Sequence, residues 1–161
     1  MTLTQERLKE LLEYNPETGL FIRKQNKGKF KKGDEAGYNV AGYVYITIDG
    51  NAYPAHRLVF LYMDNFLPST DVDHKNMIRM DNRRENLRVS TRRLNMLNMK
   101  QHIDSASPHK NVYHRKDTNT YSVRLTVDGK YKTFGCFDNL EMAISVAREA
   151  RRIYHGEYAN E

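Results

Sequence analysis

The chain has 161 residues, 39% hydrophobic and 29% charged, with a formal net charge of +6. That length suits one domain of usual size or two small ones. The polarity favours two small ones, and Tyr, Phe, Val, Ile and Leu are too frequent for wholesale disorder. No run of 18 apolar residues occurs, so no membrane-spanning helix is expected. The N-terminus reads as an amphipathic helix rather than a signal peptide. The single cysteine, Cys136, excludes an intramolecular disulfide and a cysteine-based zinc site, and reads as a small buried hydrophobe in an intracellular protein.

The charge is unevenly placed. Residues 23–32 carry six basic side chains and no acid, and residues 75–100 carry eight against Asp81 and Glu85. Between them, residues 33–74 carry six acids and one arginine. Two basic blocks around an acidic segment suit polyanion contacts flanking a cation site.

In chain order, residues 4–13 read as a helix capped by Thr4, with Leu8, Leu11 and Leu12 on one face. NPETG at 15–19 is a turn, and 20–24 is a short strand. Residues 42–53 alternate apolar and polar side chains around a DGN hairpin turn. Residues 55–65 have helical spacing. A short strand at 72–76 enters a charged loop, a second strand follows at 87–90, and a helix begins after Ser90 or Thr91. DSASP at 104–108 is a linker. Beyond it come three strands (NVYHR, YSVRLTV, KYKTFGCF), two turns, and an amphipathic helix over 138–156 with an Asp138 or Asn139 cap and Gly156 as its stop.

Asp73 and His74 are adjacent on an extended segment, so their side chains point to opposite sides. One can hold a metal while the other addresses a water. The Asp73 carboxylate and the Asn95 amide oxygen suit Mg²⁺, which takes oxygen ligands. A neutral His74 can accept a proton.

The run HRLVFLYMDNFLPSTDVDHKNMIRMDNRRENLRVSTRRLNMLN resembles phage HNH homing endonucleases of the ββα-metal fold. The carrying residues are His56-Arg57-Leu58-Val59, Asp73-His74, the loop from Asn82 to Asn86-Leu87-Arg88, and Asn95 on the following helix. The resemblance implies His74 as general base, Asp73 and Asn95 as metal ligands, and Asn86 as a brace of the loop. Asn95 stands where the last His of H-N-H would be, which favours Mg²⁺ or Mn²⁺ over zinc. Asn98 either joins the site or is an exposed helix polar. His56 either orients a phosphate or braces the core. Arg57, Arg83, Arg84, Arg92 and Arg93 are candidate DNA contacts.

Residues 107–160 resemble a plant-type APETALA2/ethylene-response-factor domain. The resemblance rests on Lys110-Asn111-Val112-Tyr113, Tyr121 to Leu125, Thr133 to Phe137 and His155 to Ala159. Asn111 stands where that family usually has Gly, and Tyr121 and Thr133 where Trp is common. Strand alternation turns Val123, Leu125 and Val127 toward the helix, opposite Ala143, Val146 and Ala147. Ser122, Arg124 and Thr126 then face outward with Tyr113, Arg115, Tyr131 and Thr133, a surface suited to reading a DNA groove.

These readings converge on an α+β protein. A DNA-contacting helix and hairpin region spans 1–55, an HNH ββα-metal core 56–103 and a linker 104–108. A three-stranded antiparallel sheet with one packed helix spans 109–161. The expected activity is metal-dependent, site-specific hydrolysis of double-stranded DNA by a monomer or homodimer, in the cytoplasm of a bacterial or phage-infected cell. One such site cuts one strand. The rival reading is a non-catalytic DNA-binding regulator on a nuclease scaffold, against which the full Asp73-His74-Asn86-Asn95 set argues. An RNA-binding or structural protein would account for the charge but not for that set.

Overall fold

The computed structural model of the chain describes residues 3–98 and 108–159. The chain divides into two compact units, Met1–Arg92 and Arg93–Glu161. Residues 104–107 of the expected linker lie outside the described residues.

The first unit opens with α1 (Gln5–Leu11), whose cap is Thr4: its hydroxyl oxygen accepts the Arg7 amide at 3.2 Å. The helix stops two residues short of the expected Glu13. Leu12 is already extended, at φ −132° and ψ 149°, and opens strand β1 (Leu12–Asn15). Leu8 and Leu12 are both buried, and their four-residue spacing imitates a helical stripe. The alternation of buried Leu12 and Tyr14 with exposed Glu13 and Asn15 belongs to a strand, which pairs antiparallel with β2 (Leu20–Arg23).

A three-stranded meander follows: β3 (Tyr38–Val40), β4 (Tyr43–Ile48) and β5 (Asn51–Pro54). Strand β3 is absent from the sequence expectation because all three of its residues are exposed, leaving no apolar alternation to read. Ala41-Gly42 and Asp49-Gly50 both have positive φ at each residue, the backbone of a two-residue turn that matches strand twist. Helix α2 (Ala55–Asp64) buries Leu58, Val59, Phe60 and Leu61, and ends at left-handed Asn65. Strands β6 (Asp71–His74) and β7 (Leu87–Ser90) pair antiparallel, with Asp73 opposite Arg88 and His74 opposite Leu87. Leu8, Phe21, Ile46, Leu58, Phe60 and Leu87 anchor a single apolar cluster, so α2, the meander and the β6–β7 hairpin share one core.

The second unit begins within α3 (Arg92–Asn98). It continues with β8 (Val112–Arg115), β9 (Thr120–Val127), β10 (Lys130–Phe137) and α4 (Leu140–His155). The sheet is antiparallel in the order β10-β9-β8. Asn139 caps α4, its side-chain oxygen accepting the Met142 amide at 3.0 Å, and Gly156 ends the helix at φ 53°. Ala143, Ala147 and Ala150 let α4 lie close on Val112, Val123 and Leu125. Asn111 is left-handed, at φ 67°. Glycine adopts that conformation freely, and asparagine is among the few other residues that tolerate it.

Two expectations for this sheet are corrected. Cys136 is exposed, not buried. A register shift between Thr133 and Gly135 inserts one extra residue, so Thr133 pairs with Arg124 while Cys136 pairs with Ser122. A bulge reverses the inward–outward parity beyond it, and Cys136 joins the outer face. Ser122 does belong to that face but is buried, with Tyr113 and Cys136 as its strand neighbours and Arg124 Nε donating to its hydroxyl at 3.2 Å.

Candidate active site

The contacts of His74 described below come from the first unit. His74 ends β6 and is only 4% exposed. Its Nε2 lies 3.2 Å from the side-chain oxygen of Asn82, itself buried. The Asn82 amide nitrogen donates to the Met80 carbonyl at 3.4 Å, which can only accept, so the amide oxygen is the atom turned to His74. An oxygen acceptor there requires the hydrogen on Nε2, leaving Nδ1 as the ring's acceptor atom.

Asn82 is held from behind. Its carbonyl accepts the Tyr14 hydroxyl at 2.8 Å. Gly19, at φ +75°, packs so closely that a Cβ there would stand 2.6 Å from Arg83 N and from the Asn82 carbonyl carbon. The β1–β2 hairpin therefore supports the residue that orients His74. Burial pushes the Tyr14 hydroxyl up to about 12, which keeps it a donor.

Asn86 organises the loop between β6 and β7. Its side-chain oxygen accepts the Asn76 amide at 3.0 Å, its amide nitrogen donates to the Asp81 carbonyl at 2.8 Å, and its own carbonyl accepts the Lys75 amide at 2.9 Å. A short 3-10 turn, Arg84–Asn86, leads into β7.

His56, near the start of α2, meets His74 edge to face with ring centroids 5.4 Å apart. Tyr43 of β4 touches both imidazoles, at 5.5 and 6.1 Å, and the Arg79 guanidinium lies 4.8 Å over the Tyr43 ring. Nδ1 of His56 is buried without a hydrogen-bond partner. Burial, then the neighbouring His74 and Arg57, depress His56 to about 4. Burial also lowers His74, opposed by the Asn82 hydrogen bond and by Asp73. Both rings are therefore neutral near pH 7.

Asp73 points the other way from His74, as alternation requires, and meets Arg88 across the hairpin. Arg88 Nε and Nη2 both reach Asp73 Oδ2, at 2.9 and 2.6 Å. The pair is largely buried. Asn95 lies on α3, in the second unit, and Asn98 closes that helix with its side chain outside the described residues. Among the described residues no three His, Cys, Asp or Glu side chains form a metal-sized cluster. The donors identified in the sequence, a carboxylate and an amide oxygen, suit a hard cation that keeps water ligands. Such an ion at Asp73 meets a carboxylate whose charge Arg88 already shares.

The arginines assigned to DNA differ in how they are held. Arg57 donates to the Thr70 carbonyl at 3.1 Å. Arg83 pairs with Asp81 at 2.6 Å and Arg84 with Asp64 at 2.8 Å, and Arg84 also stacks on Phe60. Arg92 and Arg93 are exposed, Arg93 within 3.1 Å of Asp128. In the second unit Tyr113, Arg115, Arg124, Thr126 and Thr133 are all exposed on one sheet face. Arg115 pairs with Asp117 at 3.0 Å, and the Arg124 guanidinium lies 5.9 Å from the Tyr113 ring centroid.

Asn82, Tyr14, Gly19 and Tyr43 carry no site assignment in the sequence reading. Asn82 was visible only as the first Asn of the N-x-x-x-N loop spacing. Nothing local singles out the other three.

Residues 53–97 match the family model described as HNH endonuclease. That span runs from β5 into α3 and contains His56, Asp73, His74, Asn82, Asn86 and Asn95. It points to hydrolytic nuclease chemistry on DNA. No curated protein and no solved structure matches the chain. Among the described residues no helix is long and apolar enough to cross a membrane.

Proposed function

We propose that the chain is a metal-dependent, site-specific DNA endonuclease of the homing type found in phages, with the C-terminal sheet as its DNA-reading module. The observation that carries the reading is the buried His74–Asn82 pair, inside the segment that matches the HNH endonuclease model. Asn82 holds the Nε2–H tautomer, so His74 Nδ1 accepts the proton of the attacking water. Asn86 keeps the loop that carries Asn82 in one conformation. Neutral His56 and Tyr43 wall the imidazole, limiting its rotation and excluding bulk water. Asp73 and Asn95 are the residues that would hold the cation, Mg²⁺ or Mn²⁺. When bound, the cation supplies Lewis-acid stabilisation of the charge on the scissile phosphate and leaving oxygen. On the second unit, exposed Arg115 and Arg124 beside Tyr113, Thr126 and Thr133 supply donors for base edges and phosphates.

The test is incubation of purified protein with supercoiled plasmid. Cleavage is expected with Mg²⁺ or Mn²⁺ and not with EDTA. His74→Ala is expected to abolish it while leaving DNA affinity within a few-fold, because a base acts in the transition state. Cleavage at full rate by His74→Ala, or metal-independent cutting, refutes the assignment.

A further inference from the structure

The loop after His74 displays two large apolar side chains among charged neighbours. Ile78 is 58% exposed and Met80 54% exposed. The loop that carries them is built rather than loose. The Met77 amide donates to the His74 carbonyl at 2.9 Å, with Met77 left-handed at φ 61°. The Ile78 amide donates to the Asn76 side-chain oxygen at 2.9 Å, and the Ile78 carbonyl accepts the Asp81 amide at 3.0 Å. Arg79, between them, is turned back onto the body, donating to the Ala41 carbonyl at 3.2 Å while lying over Tyr43. Asn39 donates to the Met80 sulfur at 3.3 Å, which fixes that side chain.

A braced turn that leaves more than half of two apolar side chains in water has lost the entropy of ordering for only partial burial. Such a cost is recovered when a partner covers them. The surroundings identify the partner's chemistry. Residues 75–85 carry Lys75, Arg79, Arg83 and Arg84 against Asp81 and Glu85, with Arg83 paired to both acids and Arg84 to Asp64. A surface with apolar tips set among cations complements a ligand with apolar faces between anionic strands, and duplex DNA has that make-up: stacked bases between phosphates. We infer that Ile78, backed by Met80, is a wedge that enters a base step of duplex DNA next to the site of His74. The inference rests on the DNA-cleaving reading above and adds to it: unstacking at the wedge selects easily opened steps, so sequence preference arises partly from deformability.

The experiment needs no cleavage and no known target. Relaxed closed-circular plasmid is incubated in EDTA with the full-length protein, treated with a metal-independent topoisomerase, deproteinised and run as topoisomers. Filter binding to the same plasmid is measured in parallel. The wild type is expected to bind and to leave the plasmid underwound, because unstacking unwinds the duplex. Ile78→Ser combined with Met80→Ser is expected to bind within about threefold, since phosphate contacts supply most non-specific affinity. It should also show the wild-type melting curve, and it should abolish the linking change. An equal linking change in the double variant, or none with the bound wild type, overturns the wedge. A double variant that instead loses self-association in sedimentation, with plasmid topology unaltered, assigns the patch to a second copy of the chain and also overturns it. Failure of plasmid binding altogether removes wedge and nuclease reading together. A protein that unwinds DNA but never cuts it with Mg²⁺ refutes only the nuclease reading.

Discussion

The side-chain oxygen of Asn82 faces Nε2 of His74 at 3.2 Å, eight residues away in sequence and on the far side of the loop that leaves β6. One neutral amide thereby sets both the tautomer and the rotation of the imidazole. We predict that Asn82→Leu lowers the cleavage rate by about 10- to 100-fold, the usual cost of losing an orienting partner. Plasmid affinity should stay within a few-fold. Asn82→Asp keeps an oxygen acceptor and should recover part of the rate. Single-turnover cleavage and filter binding separate the two effects, and equal rates for Leu and wild type would remove Asn82 from the mechanism.

Gly19 gives a second, remote handle on the same pair. A methyl group there would stand 2.6 Å from backbone atoms of Asn82 and Arg83, and the residue's φ of +75° disfavours any side chain. Gly19→Ala should cost on the order of 1–3 kcal/mol in stability from the strained conformation alone. It should also slow cleavage, because relief requires moving the segment that carries Asn82. Urea unfolding and activity at low temperature test this; an unchanged midpoint contradicts the packing.

Acid stability follows from His56. Burial holds it near 4 in the folded protein, below its value of about 6.5 in an unfolded chain. Well above pH 6.5 neither state is protonated at His56, and the full native stability is present. As pH falls from 6.5 toward 4 the unfolded chain takes up a proton that the folded one refuses, so stability drops. Below 4 the loss levels off, at up to roughly 3 kcal/mol for a shift of this size. His74 shifts in the same direction and deepens the fall. Melting temperatures across this range should decline, and His56→Phe should decline less. A pH-independent melting temperature between 7 and 4 would be the contrary result.

On the C-terminal sheet, exposed Cys136 reports on the outer face, which it shares with Arg115. If this face reads DNA, a bulky maleimide on Cys136 should weaken binding, and bound DNA should slow the labelling. Arg124→Ala should cost about 1–3 kcal/mol at the cognate site if Arg124 meets a guanine. It should cost less, and evenly across sequences, if it meets phosphate. Full affinity and selectivity after labelling would move the DNA-reading surface elsewhere.

Much of this protein was legible one residue after another. Capping by Thr4 and Asn139, the Asp-Gly turns, the helix over α2, the β6 and β7 strands and the three-stranded C-terminal sheet all have local causes, so their residues announce them. Asp73, His74 and Asn86 stood out through their order along the chain. Other features needed the folded chain because their causes are long-range. Leu12 left the helical stripe to pair with Arg23, and tertiary pairing overrode a spacing that suits either structure. A single bulge carried Cys136 to the outer face, which alternation by twos cannot foresee. The Tyr14 hydroxyl reaches the Asn82 carbonyl across 68 residues, and His56 comes edge-on to His74 from another element. Sequence order told which chemical groups were available. Only tertiary packing, that of the β1–β2 hairpin, the meander and α2 included, decided how the His74 ring is held, because orientation and burial depend on neighbours that sequence separation hides.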